Sequence, residues 1–449
     1  MLLLAHYVLP VSGPHIEDGA VLVRGSEIVA VGPRAELMRD NPGEEVVDYG
    51  LAALLPGFVD LHTHVEFSLF RGVVDDLPYT EWKMEVQSRE SRVAPEDWAD
   101  SAVLGAVEAI RSGITTVADV TELDSSVRAV DQAGLRGVIY REISTMDTSA
   151  VDSVLAEGFD DMARWTAMVD SSRIAIGIAP HSPYTCHPRL FQELARAVGD
   201  AETHVALHLA GSRDEYNFVK YGSSPLGQDF RTQSGWAEQP WMPTGVSPVR
   251  YVYGWGVLDL PNVMAVHCVQ VDDEDIAILE RANVAVAYCA RCNAKLGMGT
   301  APLGRFRLRG LRVGLGTDSP ASNSTMDFFD EMRVGLLMQR GLHGDQGFFT
   351  AEEFLRMATI DGARALKIDH LVGTLEPGKR ADLIAVDLSR SYQVPTQNPA
   401  GALVHTANQE DVLMTMVDGR MLFDRGRFFT VDPDAMGDRL EQMRLKVRS

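Results

Sequence analysis

Apolar and polar positions are patterned in two ways along this chain. Near the N-terminus the apolar runs are short and punctuated by turns. Residues 20–24 and 27–31, parted by Gly25-Ser26, predict a hairpin. A matching group stands near the C-terminus: 381–386 behind Glu376-Pro377-Gly378-Lys379, then 412–417, then 420–423 behind Asp418-Gly419. Neither group can seal a sheet alone. The two ends are therefore predicted to meet in one small β-sandwich, residues 1–55 with 373–430, followed by a C-terminal tail or helix over 431–449.

Residues 56–372 follow a different rhythm. Apolar runs end near His64, Asp119, Glu142, Pro180, His208, His267, Tyr288 and Asp318. Helical periodicity lies between most of them, over 95–111, 125–133, 151–169, 188–198, 273–281 and 302–309, with another helix over 326–340. Pro95-Glu96-Asp97 puts proline and acids in a first turn, as a helix start prefers. Eight strands alternating with helices predict an α/β fold, a closed (β/α)8 barrel. The stretch 221–260 breaks the rhythm. It is rich in Gly, Pro and Ser and carries Trp236, Trp241 and Trp255, which predicts a lid over the barrel mouth.

Composition narrows the classes. With 45% hydrophobic and 23% charged residues the chain reads as a soluble globular protein. No apolar run approaches the roughly 20 residues of a membrane span. The first residues lack the basic start of a signal peptide, so a cytoplasmic enzyme is expected. A net charge of −22 argues against nucleic acid as a partner and leaves a small-molecule substrate. Four cysteines make no disulfide framework, and Cys289-x-x-Cys292 lacks the second pair of a thiolate metal site.

Barrel enzymes keep their chemistry at the C-terminal ends of the strands. His62 and His64 lie one residue apart and so point to the same side of the first strand. His181 follows the fourth, His208 lies on the fifth, His267 on the sixth and Asp318 on the eighth. An isolated histidine is more often a satisfied core residue, but that explanation weakens when so many meet at one rim. Three imidazoles and a carboxylate can hold one divalent ion and leave room for water, whose pKa then falls from 15.7 toward roughly 7. His267 could hydrogen-bond the resulting hydroxide and Asp318 could take its proton.

The segments Pro56-Gly57-Phe58-Val59-Asp60-Leu61-His62-Thr63-His64, Pro180-His181-Ser182-Pro183-Tyr184, His267-Cys268-Val269 and Gly316-Thr317-Asp318-Ser319 resemble the signatures of the amidohydrolase superfamily. The stretch Glu376-Pro377-Gly378-Lys379-Arg380-Ala381-Asp382-Leu383 resembles its C-terminal sandwich entry. Asn293-Ala294-Lys295-Leu296-Gly297 and Ser322-Asn323-Ser324-Thr325-Met326-Asp327 are similar to the 5-methylthioadenosine/S-adenosylhomocysteine deaminase and chlorohydrolase group. The resemblance covers nearly the whole chain. It implies that His62, His64, His208 and Asp318 bind one zinc or iron ion, that His181 contacts a heterocycle and that His267 contacts the attacking hydroxide. It further implies Glu90 for ribose hydroxyls, Arg141 for a substrate carboxylate, and a homodimer or homotetramer.

One position departs from that pattern. The group reads His-x-x-Glu after the third ligand, and the glutamate shuttles a proton to the ring nitrogen. Here the order is His208-Leu209-Ala210-Gly211-Ser212-Arg213-Asp214-Glu215, and glycine can neither accept nor deliver a proton. Such groups contribute roughly 10²–10⁴-fold. Gln270, Tyr288, Cys289, Ala290 and Cys292 also differ from the group and predict a re-shaped pocket. The expected activity is hydrolytic deamination of a purine-nucleoside-like or other N-heterocyclic substrate. The alternatives are dechlorination, another C–N or C–X hydrolysis, a lyase-type step, or a non-catalytic metal-binding relative.

Overall fold

Strands from both ends of the chain pair with one another, and the strands between them close on themselves. The computed structural model describes residues 1–433 and 437–448. The N-terminal strands are β1 (Leu2–Val8), β2 (Ile16–Arg24), β3 (Glu27–Pro33), β4 (Val46–Asp48) and β5 (Ala52–Pro56). The barrel strands are β6 (Phe58–Thr63), β7 (Ile114–Thr121), β8 (Arg136–Ile143), β9 (Ile174–Pro180), β10 (His204–Leu209), β11 (Asn262–His267), β12 (Ala285–Tyr288) and β13 (Val313–Leu315). Last come β14 (Leu383–Asp387), β15 (Val412–Val417), β16 (Arg420–Asp424) and β17 (Arg427–Phe428).

The end strands form one mixed sheet in the order β17-β16-β15-β14-β5-β1-β2-β3, with β4 beside β1. The join is β5 against β14, antiparallel, with Leu55 opposite Ile384. Leu3, Val21 and Leu54 share an apolar cluster with Leu383, Met414 and Met416, so the two ends bury one another. Neither half would cover that surface alone.

β6 to β13 pair in sequence order, all parallel, and a bridge between Thr63 and Asp318 brings the last strand back to the first. Parallel strands buried on both faces read as near-continuous apolar runs, which is why each strand ending is visible in the sequence. Inside the barrel Val59, Leu61, Val120, Val138, Tyr140 and Met264 pack together. The outer faces meet the surrounding helices in the main core. Arg136, buried in β8, donates to Asp382 at 2.7 and 3.2 Å and to Asp418 at 2.7 Å, clamping the barrel to the end sheet.

The helices Pro95–Arg111, Pro188–Val198 and Asp273–Arg281 have the predicted bounds. Val151–Thr166 stops three residues short of the predicted end at 169. Phe328–His343 starts later than predicted because Asp327 caps it, accepting from the backbone N–H of Phe329 and Asp330. A helix the periodicity does not reveal, Tyr79–Glu90, lies over the barrel mouth. Glu81, Glu85 and Ser88 are exposed, and the polar Lys83, Gln87 and Glu90 meet the cavity, so it carries no clean apolar stripe.

The stretch 221–260 departs from the expected lid. It holds short helices, including Pro248–Tyr253. Trp241 stacks on Phe218 at 4.5 Å and Trp255 packs against Tyr251 at 6.4 Å, both away from the mouth. Of its three tryptophans only Trp236 lines the cavity, together with Phe230. The C-terminal helix Gly437–Arg448 sets Met443 and Val447 against Leu69 and Phe70, while residues 434–436 and 449 lie outside the described residues. Among the described residues no helix is long and apolar enough to cross a membrane.

Candidate metal centre and its cavity

Five barrel strands end at one rim, and each leaves a histidine or the aspartate there. His62 closes β6 and His64 follows it; His181 follows β9, His208 lies in β10, His267 ends β11 and Asp318 follows β13. The ligand atoms of His62, His64 and His208 lie within 4.8 Å of one another. Asp318 faces them, with Oδ1 3.9 Å from His62 Nε2 and Oδ2 3.8 Å from His267 Nε2.

The backbone bends sharply to do this. Ala210, His267, Cys268 and Asp318 all adopt left-handed conformations, with φ of 52°, 77°, 47° and 63°. Such a conformation costs a non-glycine residue of order 1–3 kcal/mol, and it clusters where function over-determines the chain. Asp318 N–H donates to the His62 carbonyl at 2.7 Å, which locks the turn onto the first strand. After His208 the chain is held by Glu215, which accepts from the N–H groups of Ala210 at 2.7 Å and Gly211 at 2.8 Å.

The donor set fits a metal ion. His208 Nδ1 donates to the His181 carbonyl at 3.0 Å, so its Nε2 carries a lone pair into the centre. That Nε2 stands 3.2 Å from His62 Nε2. Two nitrogens each about 2.0–2.1 Å from one ion at a near-tetrahedral angle stand about 3.3 Å apart. His64 in turn interacts with the Val120 backbone. Burial pushes the imidazoles of His62, His64, His208 and His267 below their usual value, so they are neutral, as ligands must be. Burial alone would raise the Asp318 carboxyl, but His62, His267 and His64 outweigh it and hold the group well below the usual carboxylate range.

Cys289 stands beside the centre, its Sγ within 4.8 Å of ligand atoms of His267 and Asp318. The thiols of Cys289 and Cys292 are buried, and in the metal-free chain desolvation pushes both well up, toward the neutral form. Cys292 hydrogen-bonds Asp318.

The centre opens into a cavity of about 360 Å³. Tyr79, Trp82, Lys83, Gln87 and Glu90 reach it from the helix over the mouth. Glu66, Glu122 and Glu142 come from the ends of β6, β7 and β8. Glu90 therefore sits where a substrate hydroxyl could meet it. Arg141 does not reach the cavity. Successive strand residues face opposite ways, so Glu142 points inward while Arg141 points out, donating to Asp161 at 2.7 Å.

Lys83 joins the cavity although no motif around it signals a role. Its Nζ lies 3.3 Å from His181 Nε2, while His181 Nδ1 bonds Thr185 Oγ1 at 2.7 Å. Burial would lower the lysine pKa, but Tyr184, Glu142, Glu90 and Glu122 outweigh it and keep the ammonium charged.

Gly211 faces a plug rather than a void. A Cβ there would meet the Met298 methyl at 2.9 Å and His267 Cδ2 at 3.1 Å. Gln270 fixes that plug by donating from Nε2 to the Met298 carbonyl at 2.9 Å. Gly211 and Gln270 thus both meet Met298. The acids nearby are committed elsewhere: Glu215 holds the turn, and Asp214 accepts from Thr80 at 2.6 Å.

A match to the amidohydrolase family spans residues 53–422, and a match to the bacterial imidazolonepropionase-like composite domain spans 19–43. The chain is 35% identical to 5-methylthioadenosine/S-adenosylhomocysteine deaminase of Symbiobacterium thermophilum, covering 93% of this chain and 92% of that protein. It is 34% identical to 5'-deoxyadenosine deaminase of Methanothermobacter thermautotrophicus, covering 93% of each. Among solved structures, the adenosine deaminase of Xanthomonas campestris with bound zinc superposes with a TM-score of 0.86 and 28% identity, covering 100% of this chain and 98% of that one.

Proposed function

The chain belongs to the amidohydrolase family, and from that premise we propose that it hydrolytically deaminates a purine-nucleoside-like substrate, releasing ammonia. The observation that carries this reading is the pre-oriented cluster of His62, His64 and His208 facing Asp318 at the barrel rim. These four residues would hold a single divalent ion, zinc in the first instance. When bound, such an ion makes water nucleophilic at neutral pH.

The chain's own groups then divide the work. Asp318 Oδ1 accepts from the Ser319 N–H at 2.5 Å, which leaves Oδ2 to take the proton of the attacking water. His267, 3.8 Å from that oxygen, orients the water. His181 and Lys83 face the heterocycle, and Glu90 faces the ribose hydroxyls. Trp82, Phe230 and Trp236 give the cavity the apolar walls a flat ring requires. The relatives' substrates make 5'-substituted adenosines the natural candidates.

Gly211 favours a second reading on the same scaffold, loss of a group such as halide that needs no proton from that position. The deciding experiment loads the purified protein with zinc and follows ammonia release from adenosine, 5'-deoxyadenosine, methylthioadenosine and adenosylhomocysteine. Turnover of about 1 s⁻¹ or more on one of them is expected. Failure on all four, with halide release from the chlorinated analogues, would move the protein to the second reading.

A further inference from the structure

Deamination must give the departing nitrogen a proton, and the usual source is missing. Met298 and His267 fill the flank of His208 where Gly211 stands, and Gln270 holds the Met298 carbonyl. The acids on that side, Glu215 and Asp214, are held by other bonds. On the opposite flank, toward β8 and β9, a carboxyl is in reach. A carboxylate oxygen of Glu142 and ring nitrogens of His181 and His208 all lie within 4.8 Å of one another. Glu142 Oε2 is sealed from solvent and has no hydrogen-bond partner. Glu142 lines the cavity, and a buried carboxyl oxygen with nothing to bond is costly unless a proton or a ligand supplies the partner.

We propose that Glu142 is the proton donor to the departing nitrogen, in place of the carboxyl that Gly211 lacks. Burial first, then Glu122 and Glu90, push its pKa up to about 8 against the opposing pull of Lys83 and Arg141. In the metal-free chain burial thus favours the protonated carboxyl, the form a general acid must offer. In the step, the attacking water forms the new C–O bond and gives one proton to Asp318. The C–N bond breaks with its electron pair on nitrogen, which takes the Glu142 proton and leaves as ammonia. The proton taken by Asp318 returns through solvent to Glu142. The neighbouring Lys83 ammonium stabilises the carboxylate formed in between.

This rests on the hydrolytic reading above, and the test separates the two. Zinc-loaded wild type and Glu142→Gln are compared on adenosine and on 6-chloropurine riboside, whose chloride leaves as an anion without a proton. The variant is expected to lose about 10²-fold or more in kcat on adenosine and less than about 10-fold on the chloride. Glu142→Asp should retain part of the adenosine activity, and unchanged zinc content and Tm would show both variants folded. A second readout is the crystal structure of the zinc enzyme with purine riboside, where a Glu142 oxygen should lie within about 3.2 Å of a purine nitrogen. Equal losses on both substrates, or a Glu142 carboxyl remote from the purine, would overturn the assignment and leave the hydrolase intact. A wild type inert toward both substrates would overturn the hydrolytic reading and this assignment with it.

Discussion

Asp60 accepts from Thr317 twice, from its backbone N–H at 2.9 Å and its hydroxyl at 2.6 Å. The pair joins the first barrel strand to the turn that carries Asp318, directly below the metal-binding side chains. Asp60 also accepts from the His62 N–H at 3.2 Å. One buried carboxyl thus sets the spacing between two proposed ligands on opposite edges of the closure. Asp60→Ala strands two buried donors of Thr317, at about 1–3 kcal/mol each. Urea denaturation should show a loss of about 3 kcal/mol or more, and the purified variant should hold less than one zinc per chain. A fully stable variant with full zinc would mean that Thr63 and Asp318 close the barrel without help.

The centre itself makes a sharper prediction. His208→Ala removes the nitrogen whose tautomer is fixed by His181, and His62→Ala removes its partner at 3.2 Å. Each variant should lose its zinc on dialysis and fall at least about 10³-fold in activity. Adding a chelator to the wild type should lower Tm, because an ion bound only by the folded chain stabilises it by mass action. Metal analysis and calorimetry on the same samples decide it. A His208→Ala protein that keeps its zinc would exclude this residue as a ligand.

The plug at Gly211 can be tested by undoing it. Gly211→Glu alone must displace the Met298 methyl, 2.9 Å from where its Cβ would stand, and crowd His267. It should therefore cost stability and improve activity little. Gly211→Glu with Met298→Ala opens the space, and the pair should couple by more than about 0.5 kcal/mol, as contacting residues do. Added to Glu142→Gln, that pair should restore deamination, because a carboxyl returns to the other flank of the leaving group. Double-mutant cycles on Tm and kcat measure both effects.

Much of this architecture is legible in the amino-acid sequence, for identifiable reasons. The barrel shows because a strand buried on both faces writes an unbroken apolar run, and its turn residues mark where the run stops. His62, His64, His208, His267 and Asp318 stand out because they lie at those stops. Lys83 does not, because it reaches the cavity from a helix with no apolar stripe, and nothing local distinguishes it from a surface lysine. Resemblance alone assigns Arg141 to the substrate and passes over Glu142, because a one-residue step inverts which way a strand side chain points. The tryptophans of 221–260 divide between mouth and core by packing against Phe218 and Tyr251, partners that only the tertiary fold supplies.

Buried acids give a prediction about pH whose sign can be worked out. Burial pushes Glu331 and Glu142 up to about 8, and Asp60, Asp119 and Glu215 up to about 7. In the unfolded chain these groups titrate near 4. Between those values the folded chain holds more protons than the unfolded one, so raising the pH costs stability until the folded groups have ionised. The buried histidines act in the opposite sense, since burial lowers them below 6.5 and the unfolded chain takes up protons first as the pH falls. The two effects compete below pH 6.5, and above it the acids act alone. The Tm of the metal-free protein should therefore fall steadily from about pH 6.5 to about pH 8.5. Glu331 lies off the cavity, accepting from the Arg291 N–H at 3.2 Å and Asn323 Nδ2 at 3.3 Å. Glu331→Gln keeps an acceptor there and removes one titrating group, so the decline should become shallower without loss of activity. Calorimetry in chelator across that range is the measurement, and a Tm that stayed level or rose would mean these carboxyls ionise in the folded chain as readily as in water.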